Sequence, residues 1–237
     1  MQRILVVNSK GGCGKSTIAT NIASLYASAG SPTVLMDYDP QGSSLQWSTL
    51  RADNRPPVQV IDASRTKSGQ TRVWQTAVPS GTQRLIMDAP AGISGLMLQD
   101  MVKRCDVIIV PVAPSPIDIH ATSDFIRDLL LIGKIRKYGI HACVVANRVR
   151  RNTPLYEPLK RFLNNVNIPF ITTLADTDNY IRAAEEGIGI HELAPEEVSL
   201  EREQWLPLIR FLSYPADDES KSDGVRPRFD LIAGRRA

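Results

Sequence analysis

The sequence predicts an α/β protein: a doubly wound, mostly parallel sheet with helices on both faces. Three observations predict it. Short apolar runs alternate with amphipathic stretches almost to the end of the chain, the pattern a covered parallel sheet requires. The first run, Ile4-Leu5-Val6-Val7, feeds straight into the glycine-rich turn Lys10-Gly11-Gly12-Cys13-Gly14-Lys15-Ser16, as a strand–loop–helix unit would. Two later runs end in an aspartate, Asp37 and Asp88, at the strand ends where open parallel sheets collect their functional groups.

The elements follow in order. Residues 3–8 read as the first strand. Ser16 to Ala29 is a helix with Ile18, Ile22, Leu25 and Ala29 on one face and Gly30 as its stop. Thr33-Val34-Leu35-Met36 is the second strand, and a helix from Leu45 to Leu50 comes after the turn that follows it. Val58 to Ile61 is a shorter strand, followed by a helix near Gln70 to Ala77. Arg84-Leu85-Ile86-Met87 and Asp106 to Val110 are buried strands. Ile117 to Tyr138 reads as the longest helix and Ala142 to Ala146 as the next strand. A helix from Leu155 to Leu163, a short strand at Phe170-Ile171, and helices from Asn179 to Glu186 and Glu196 to Leu212 complete one domain over residues 1–212. From residue 213 the periodicity gives way to acidic, Ser, Gly, Pro and Arg residues, which reads as a disordered tail with a basic end.

Composition bounds the function. The 237 residues, 43% hydrophobic and 22% charged, suffice for one large core. A net charge of +3 is mild, so any nucleic-acid contact must come from local basic clusters. Cys13, Cys105 and Cys143 are an odd set without metal-like spacing, which points to free thiols in a reducing cytosol. Met1-Gln2-Arg3 leads directly into a strand, and no apolar run approaches bilayer length. The chain reads as cytoplasmic.

The glycine-rich turn carries the chemistry. Gly11, Gly12 and Gly14 let consecutive backbone N–H groups turn inward around phosphate oxygens. Lys15 would reach the β- and γ-phosphates of ATP, and the Ser16 hydroxyl would complete the coordination of Mg²⁺. Cys13 and Thr17 belong to the same cradle, and the helix that follows aims its positive end at the anion. Asp88, after four largely apolar residues, would hold Mg²⁺ through a water.

The usual phosphate-binding loop has Gly five residues before Gly14; this chain has Ser9 there and Lys10 next to it. With the segment Asp37-Tyr38-Asp39-Pro40-Gln41-Gly42, that lysine makes the chain resemble the ParA/MinD family of deviant Walker A ATPases. The resemblance covers residues 1–212. It implies that Lys10 crosses to a partner subunit's nucleotide, so the active form is an ATP-dependent homodimer. It further implies that Asp39 orients the attacking water, that Asp37 supports the metal site, and that Asn147 and Arg148 mark the adenine end. Asp88-Ala89-Pro90-Ala91-Gly92 is closer to the MinD form of that loop. Ser9 to Ser16 and Pro114-Ser115-Pro116-Ile117-Asp118 are similar to both the plasmid ParF group and the carboxysome-positioning McdA group.

Members of the family bind non-specific DNA through basic residues displayed on the ATP-bound dimer. The candidates here are Arg148, Arg150, Arg151, Lys160, Arg161 and Arg182. Each alone reads as a solvated surface charge; as a set they favour phosphate contacts. The implied cycle is that of a positioning ATPase that is nucleoid-associated when ATP-bound. A ParB-like or McdB-like activator on the cargo (plasmid, chromosome or carboxysome) would stimulate hydrolysis. A MinD-like membrane cycle ranks lower, because Pro227, Asp230 and Gly234 interrupt any apolar face near the C-terminus. A metabolic P-loop enzyme ranks lower still, since it does not need both Lys10 and the Asp37–Gly42 motif.

Overall fold

The Ile4-to-Val7 run is apolar at every position because both faces of its strand are covered. Ile4 and Val6 face one core with Ile18, Ile22, Tyr26, Ile86 and Ile109. Leu5 and Val7 face a second core with Val34, Met36, Met87, Ile108 and Val110. The period-two alternation of strand side chains therefore produces a continuous hydrophobic run instead of an alternating one. The computed structural model describes residues 1–64, 77–150 and 153–213.

The strands are β1 (Gln2–Val6), β2 (Thr33–Asp37), β3 (Gln59–Asp62), β4 (Arg84–Asp88), β5 (Val107–Val112), β6 (His141–Val149) and β7 (Phe170–Ala175). The helices are α1 (Lys15–Ser28), α2 (Ser43–Leu50), α3 (Gly95–Lys103), α4 (Pro116–Leu131), α5 (Tyr156–Asn165), α6 (Asp178–Glu185) and α7 (Ser199–Ser213). A 3₁₀ turn covers Ile190–Glu192. The strands form one seven-stranded sheet in the order β3-β2-β4-β1-β5-β6-β7, with every pair parallel. Helices α1 and α7 contribute to the first core through residues such as Ile18, Ile22, Leu208 and Leu212. Helices α3, α4 and α5 cover the other face through Leu98, Met101, Phe125, Leu129 and Leu159.

Register positions the site. Val6 pairs with Asp88, and Asp88 with Asp37, so β1, β4 and β2 end at one level. The glycine-rich loop and both buried aspartates therefore emerge side by side, beyond the carboxyl ends of adjacent strands.

Several boundaries differ from the sequence reading. Helix α3 was not expected between Gly92 and Asp106; it buries only Leu98, Met101 and Val102. The long helix ends at Leu131 instead of Tyr138. The Gly133 N–H closes back on the Asp128 carbonyl, and Lys134 takes φ +54°, a left-handed residue no helix continues through. Strand β6 runs on to Val149, with irregular pairing between Ala146 and Val149 and Arg148 at φ +57°. That is the signature of a bulge, which re-aims side chains at a sheet end. Strand β7 reaches Ala175, well past the expected Ile171. The helix near Gln70 to Ala77 and the tail after Ser213 fall on residues outside those described, except Ala77 itself. All three cysteines are buried and unpaired. Among the described residues, no helix is long and apolar enough to cross a membrane.

Candidate functional site

The loop after β1 is held from beneath by two asparagines. Asn8, fully buried, donates through Nδ2 to the Pro111 carbonyl and to Thr122 Oγ1, both at 2.8 Å. Its Oδ1 accepts the Lys10 N–H at 3.1 Å. Asn147, at the end of β6, donates through Nδ2 to the Cys13 carbonyl at 2.9 Å. Gly14 must be glycine here. Its φ is +91°, and a Cβ on it would lie 2.0 Å from Asn147 Nδ2. One N–H of the predicted base-contacting residue is thus committed to the loop backbone.

Lys15 is buried, and its ammonium folds back onto the Lys10 carbonyl at 2.9 Å. Cys13 Sγ reaches the same carbonyl at 3.3 Å, and burial pushes its thiol pKa up. The two lysines therefore stand in different surroundings: Lys15 is drawn inside the loop, while Lys10 is half-exposed and makes no ion pair among the described residues.

The acidic side is built as tightly. Asp37 is fully buried; its Oδ1 accepts the Asp39 N–H and its Oδ2 the Leu45 N–H, each at 3.0 Å. It organises the turn into α2, so any part it plays at a metal is through that turn. Burial raises its pKa, with the backbone N–H bonds acting against the rise. Asp39 is half-buried, with Oδ1 accepting the Gln41 N–H at 2.9 Å and Oδ2 facing the Ala91 N–H at 3.4 Å.

Asp88 is fully buried. Its Oδ2 accepts the Ser44 hydroxyl at 2.8 Å, whereas its Oδ1 is sealed from solvent without a hydrogen-bond partner. Burial pushes its pKa up to about 7; the nearby Ser16 and Ser44 hydroxyls and the Lys15 charge pull it down, and Asp37 adds to the rise. The Ser16 hydroxyl is close enough to exert that pull without completing a bond to Oδ1. An orphaned carboxylate oxygen beside a serine hydroxyl and a phosphate-type loop is a donor set that fits Mg²⁺ with its water shell.

A cavity of about 720 Å³ opens over the loop. Gly11, Gly12, Gly14, Lys15, Ser16 and Thr17 form its floor. Asp39, Asn147 and Arg148 also line it, whereas Lys10, Cys13, Asp37 and Asp88 stand outside its wall. Two walls were not foreseen from sequence: Gln46, Trp47 and Leu50 of α2, and Tyr180, Ile181 and Ala184 of α6. The Tyr180/Ala184 and Ile181/Glu185 spacings of one short helix were the available signal.

Among the basic candidates, two share one carboxylate. The Arg148 Nε lies 3.6 Å and the Arg150 Nε 2.7 Å from the two oxygens of Asp176. Arg182 is ion-paired to Glu197. Lys160 and Arg161 are exposed on α5, and Arg151 lies outside the described residues.

Comparison with known proteins identifies the fold and the family. The chain is 28% identical over 196 residues to the maintenance of carboxysome distribution protein A of Halothiobacillus neapolitanus, spanning 80% of this chain and 87% of that protein. Its fold is similar to that in the MinC:MinD cell division protein complex of Aquifex aeolicus, with TM-score 0.67 and 16% identity over 94% of this chain and 100% of that one. It is likewise similar to a Cyanothece McdA variant solved with ATP, with TM-score 0.65 and 12% identity over 88% and 96% of the two chains. The family model for the CobQ/CobB/MinD/ParA nucleotide-binding domain matches residues 4–190. With that match spanning most of the chain and enclosing the whole loop-and-aspartate site, the protein belongs to the CobQ/CobB/MinD/ParA nucleotide-binding domain family.

Proposed function

We propose that the protein is an ATPase that positions or segregates an intracellular cargo by cycling between an ATP-bound dimer on DNA and a free form. The observation that carries this reading is the difference between its two loop lysines. Lys15 is drawn into the loop, where it would meet the β- and γ-phosphates. Lys10, half-exposed, outside the cavity lining and without an ion-pair partner among the described residues, would reach the nucleotide of a second copy.

The chain's own groups supply binding and placement. Backbone N–H groups of Gly11 to Ser16 cradle the phosphates, and an incoming phosphate is a stronger acceptor for Lys15 than the Lys10 carbonyl. Ser16 and Asp88 hold Mg²⁺, whose contribution when bound is to neutralise charge on the phosphate oxygens. Asp39, on the cavity wall, orients the attacking water. Placement and charge neutralisation are most of what phosphoryl transfer asks of a protein.

The DNA contacts fall to Arg148, Arg150, Arg151, Lys160, Arg161 and Arg182. The Arg150–Asp176 and Arg182–Glu197 pairs are partly exposed to solvent, and solvent-screened pairs contribute about 1 kcal/mol or less. A phosphate can therefore replace the carboxylate. The name of the Halothiobacillus relative supports carboxysome positioning as the cargo role; an McdB-like or ParB-like protein on the cargo would be the activator. The site of action is the nucleoid.

Binding to random-sequence duplex DNA with ATP, ADP or no nucleotide, at two salt concentrations, tests this reading. The expected result is salt-sensitive binding with ATP alone, lost in Lys10→Ala and Arg182→Ala. Equal or absent binding in all three nucleotide states would overturn the DNA-based cycle.

A further inference from the structure

Ser43 and Ser44 are adjacent in the first turn of α2, yet only one of them faces the acidic site. Ser43 is exposed, while Ser44 is fully buried. The Ser44 hydroxyl donates to Asp88 Oδ2 at 2.8 Å. Helix α2 is itself tied to the neighbouring aspartate by the Leu45 N–H on Asp37 Oδ2 at 3.0 Å. Two consecutive residues of one helical turn thus grip the two buried carboxylates at the ends of β2 and β4.

From this geometry we infer that Ser44 is a positioning residue for the metal site: it fixes the Asp88 carboxylate so that Oδ1, and not Oδ2, faces the ion's water shell. A carboxylate at a strand end can rotate about its Cβ–Cγ bond, exchanging its two oxygens. The Ser44 hydroxyl opposes that rotation by engaging one oxygen, Oδ2, at 2.8 Å. The other oxygen is buried and completes no hydrogen bond, although the Ser16 hydroxyl stands near the carboxylate, and a buried acceptor in that condition costs free energy until a donor engages it fully. A water on Mg²⁺ is such a donor. Ser44 satisfies Oδ2 of the buried carboxylate, which leaves Oδ1 as the oxygen in need of a donor.

The hydroxyl has a second consequence. Ser44 lies five residues beyond Asp39 on the same loop-and-helix segment, and Asp37 accepts from both the Asp39 and Leu45 N–H groups. The residue proposed to place water and the residue proposed to hold the ion are therefore linked through one turn of backbone. This inference rests on the assignment of Asp88 to the metal.

The test is Mg²⁺-dependent binding of a fluorescent ATP analogue to the full chain, measured for wild type, Ser44→Ala and Ser44→Thr, with thermal unfolding of each alongside. Ser44→Ala is expected to need about tenfold more Mg²⁺ for half-maximal binding, the loss of one hydrogen bond to a charged group. Its metal-free nucleotide binding should change less than twofold. Ser44→Thr, which keeps the hydroxyl, is expected to restore the Mg²⁺ requirement to within about threefold of wild type. An unchanged Mg²⁺ requirement in folded Ser44→Ala would overturn the inference alone, as would folded Ser44→Thr behaving like Ser44→Ala. Wild-type binding that is indifferent to Mg²⁺ would overturn the metal assignment and the inference with it.

Discussion

The Arg51 guanidinium forks onto the Glu192 carboxylate, Nη1 to Oε2 at 2.9 Å and Nη2 to Oε1 at 2.8 Å, with each side chain only 5% exposed. Arg51 also donates to the Gly187 and Pro56 carbonyls, and Glu192 accepts the Gly189 N–H. Just before it, Trp47 Nε1 reaches the Ile188 carbonyl at 3.2 Å. These bonds join the end of α2 to the segment after α6, tying together the two cavity walls that the sequence did not reveal.

Removing one partner of a buried, fully hydrogen-bonded pair leaves a charge and several carbonyls unpaired. Arg51→Ala should therefore lower unfolding free energy by about 3–5 kcal/mol, measured by urea denaturation. The exposed Arg127–Asp124 pair is the control: Arg127→Ala should cost less than about 1 kcal/mol.

Gly187 packs beneath the same junction. A Cβ there would lie 2.3 Å from the Arg51 backbone nitrogen, at φ +64°. Gly139 has nearly the same φ, +63°, but open space around its missing Cβ. Gly139→Ala should cost only the left-handed strain, about 1–2 kcal/mol, and leave nucleotide binding intact. Gly187→Ala should cost clearly more in the same unfolding assay and weaken nucleotide binding, because α2 must shift away from α6.

Asn147 donates to the Cys13 carbonyl, so its first effect is on the loop. Asn147→Ala should weaken ATP and GTP binding by a similar factor of about 5–10, the value of one buried hydrogen bond. A loss confined to ATP, read by competition against a fluorescent nucleotide, would instead assign the amide to the adenine edge.

His191 has an Nε2 atom sealed from solvent with no hydrogen-bond partner, and burial lowers its pKa to about 4. The unfolded chain takes up this proton near pH 6.5, which the folded chain refuses until about 4. Stability should therefore rise with pH between 4 and 6.5 and level off above, by on the order of 3 kcal/mol. Urea midpoints between pH 4.5 and 6.5 should lose that slope in His191→Gln; Glu192, which burial pushes up but the Arg51 and Gly189 hydrogen bonds bring net below its ordinary 4.5, adds its own pH dependence only below that value.

The loop, α1 and the paired aspartates were legible in the sequence because each is written locally: glycines where φ must be positive, an apolar run, then a polar group at its end. Helix α3 was not, since only three of its residues are buried and Gly92 and Gly95 interrupt the approach to it. The end of α4 was hidden because Ile132 and Ile135 continue the apolar spacing past the turn at Gly133. Nothing in the string Gly42-Ser43-Ser44 separates a solvated serine from one on a buried carboxylate. Arg51 and Glu192 are 141 residues apart, and only the sheet order brings them together. The basic candidates were legible as residue types, but their engagement with Asp176 and Glu197 depends on tertiary packing.

In the proposed cycle, ATP closes two copies of this chain across Lys10. Light scattering on the full chain with Mg²⁺ and a non-hydrolysable ATP analogue, compared with ADP, tests it most directly. The expected result is a mass twice the 26.2 kDa of the single chain with the analogue only, and a monomer for Lys10→Ala that still binds nucleotide through Lys15. A wild-type protein that stays monomeric while saturated with the analogue, or a Lys10→Ala variant that dimerises as well as wild type, would contradict it.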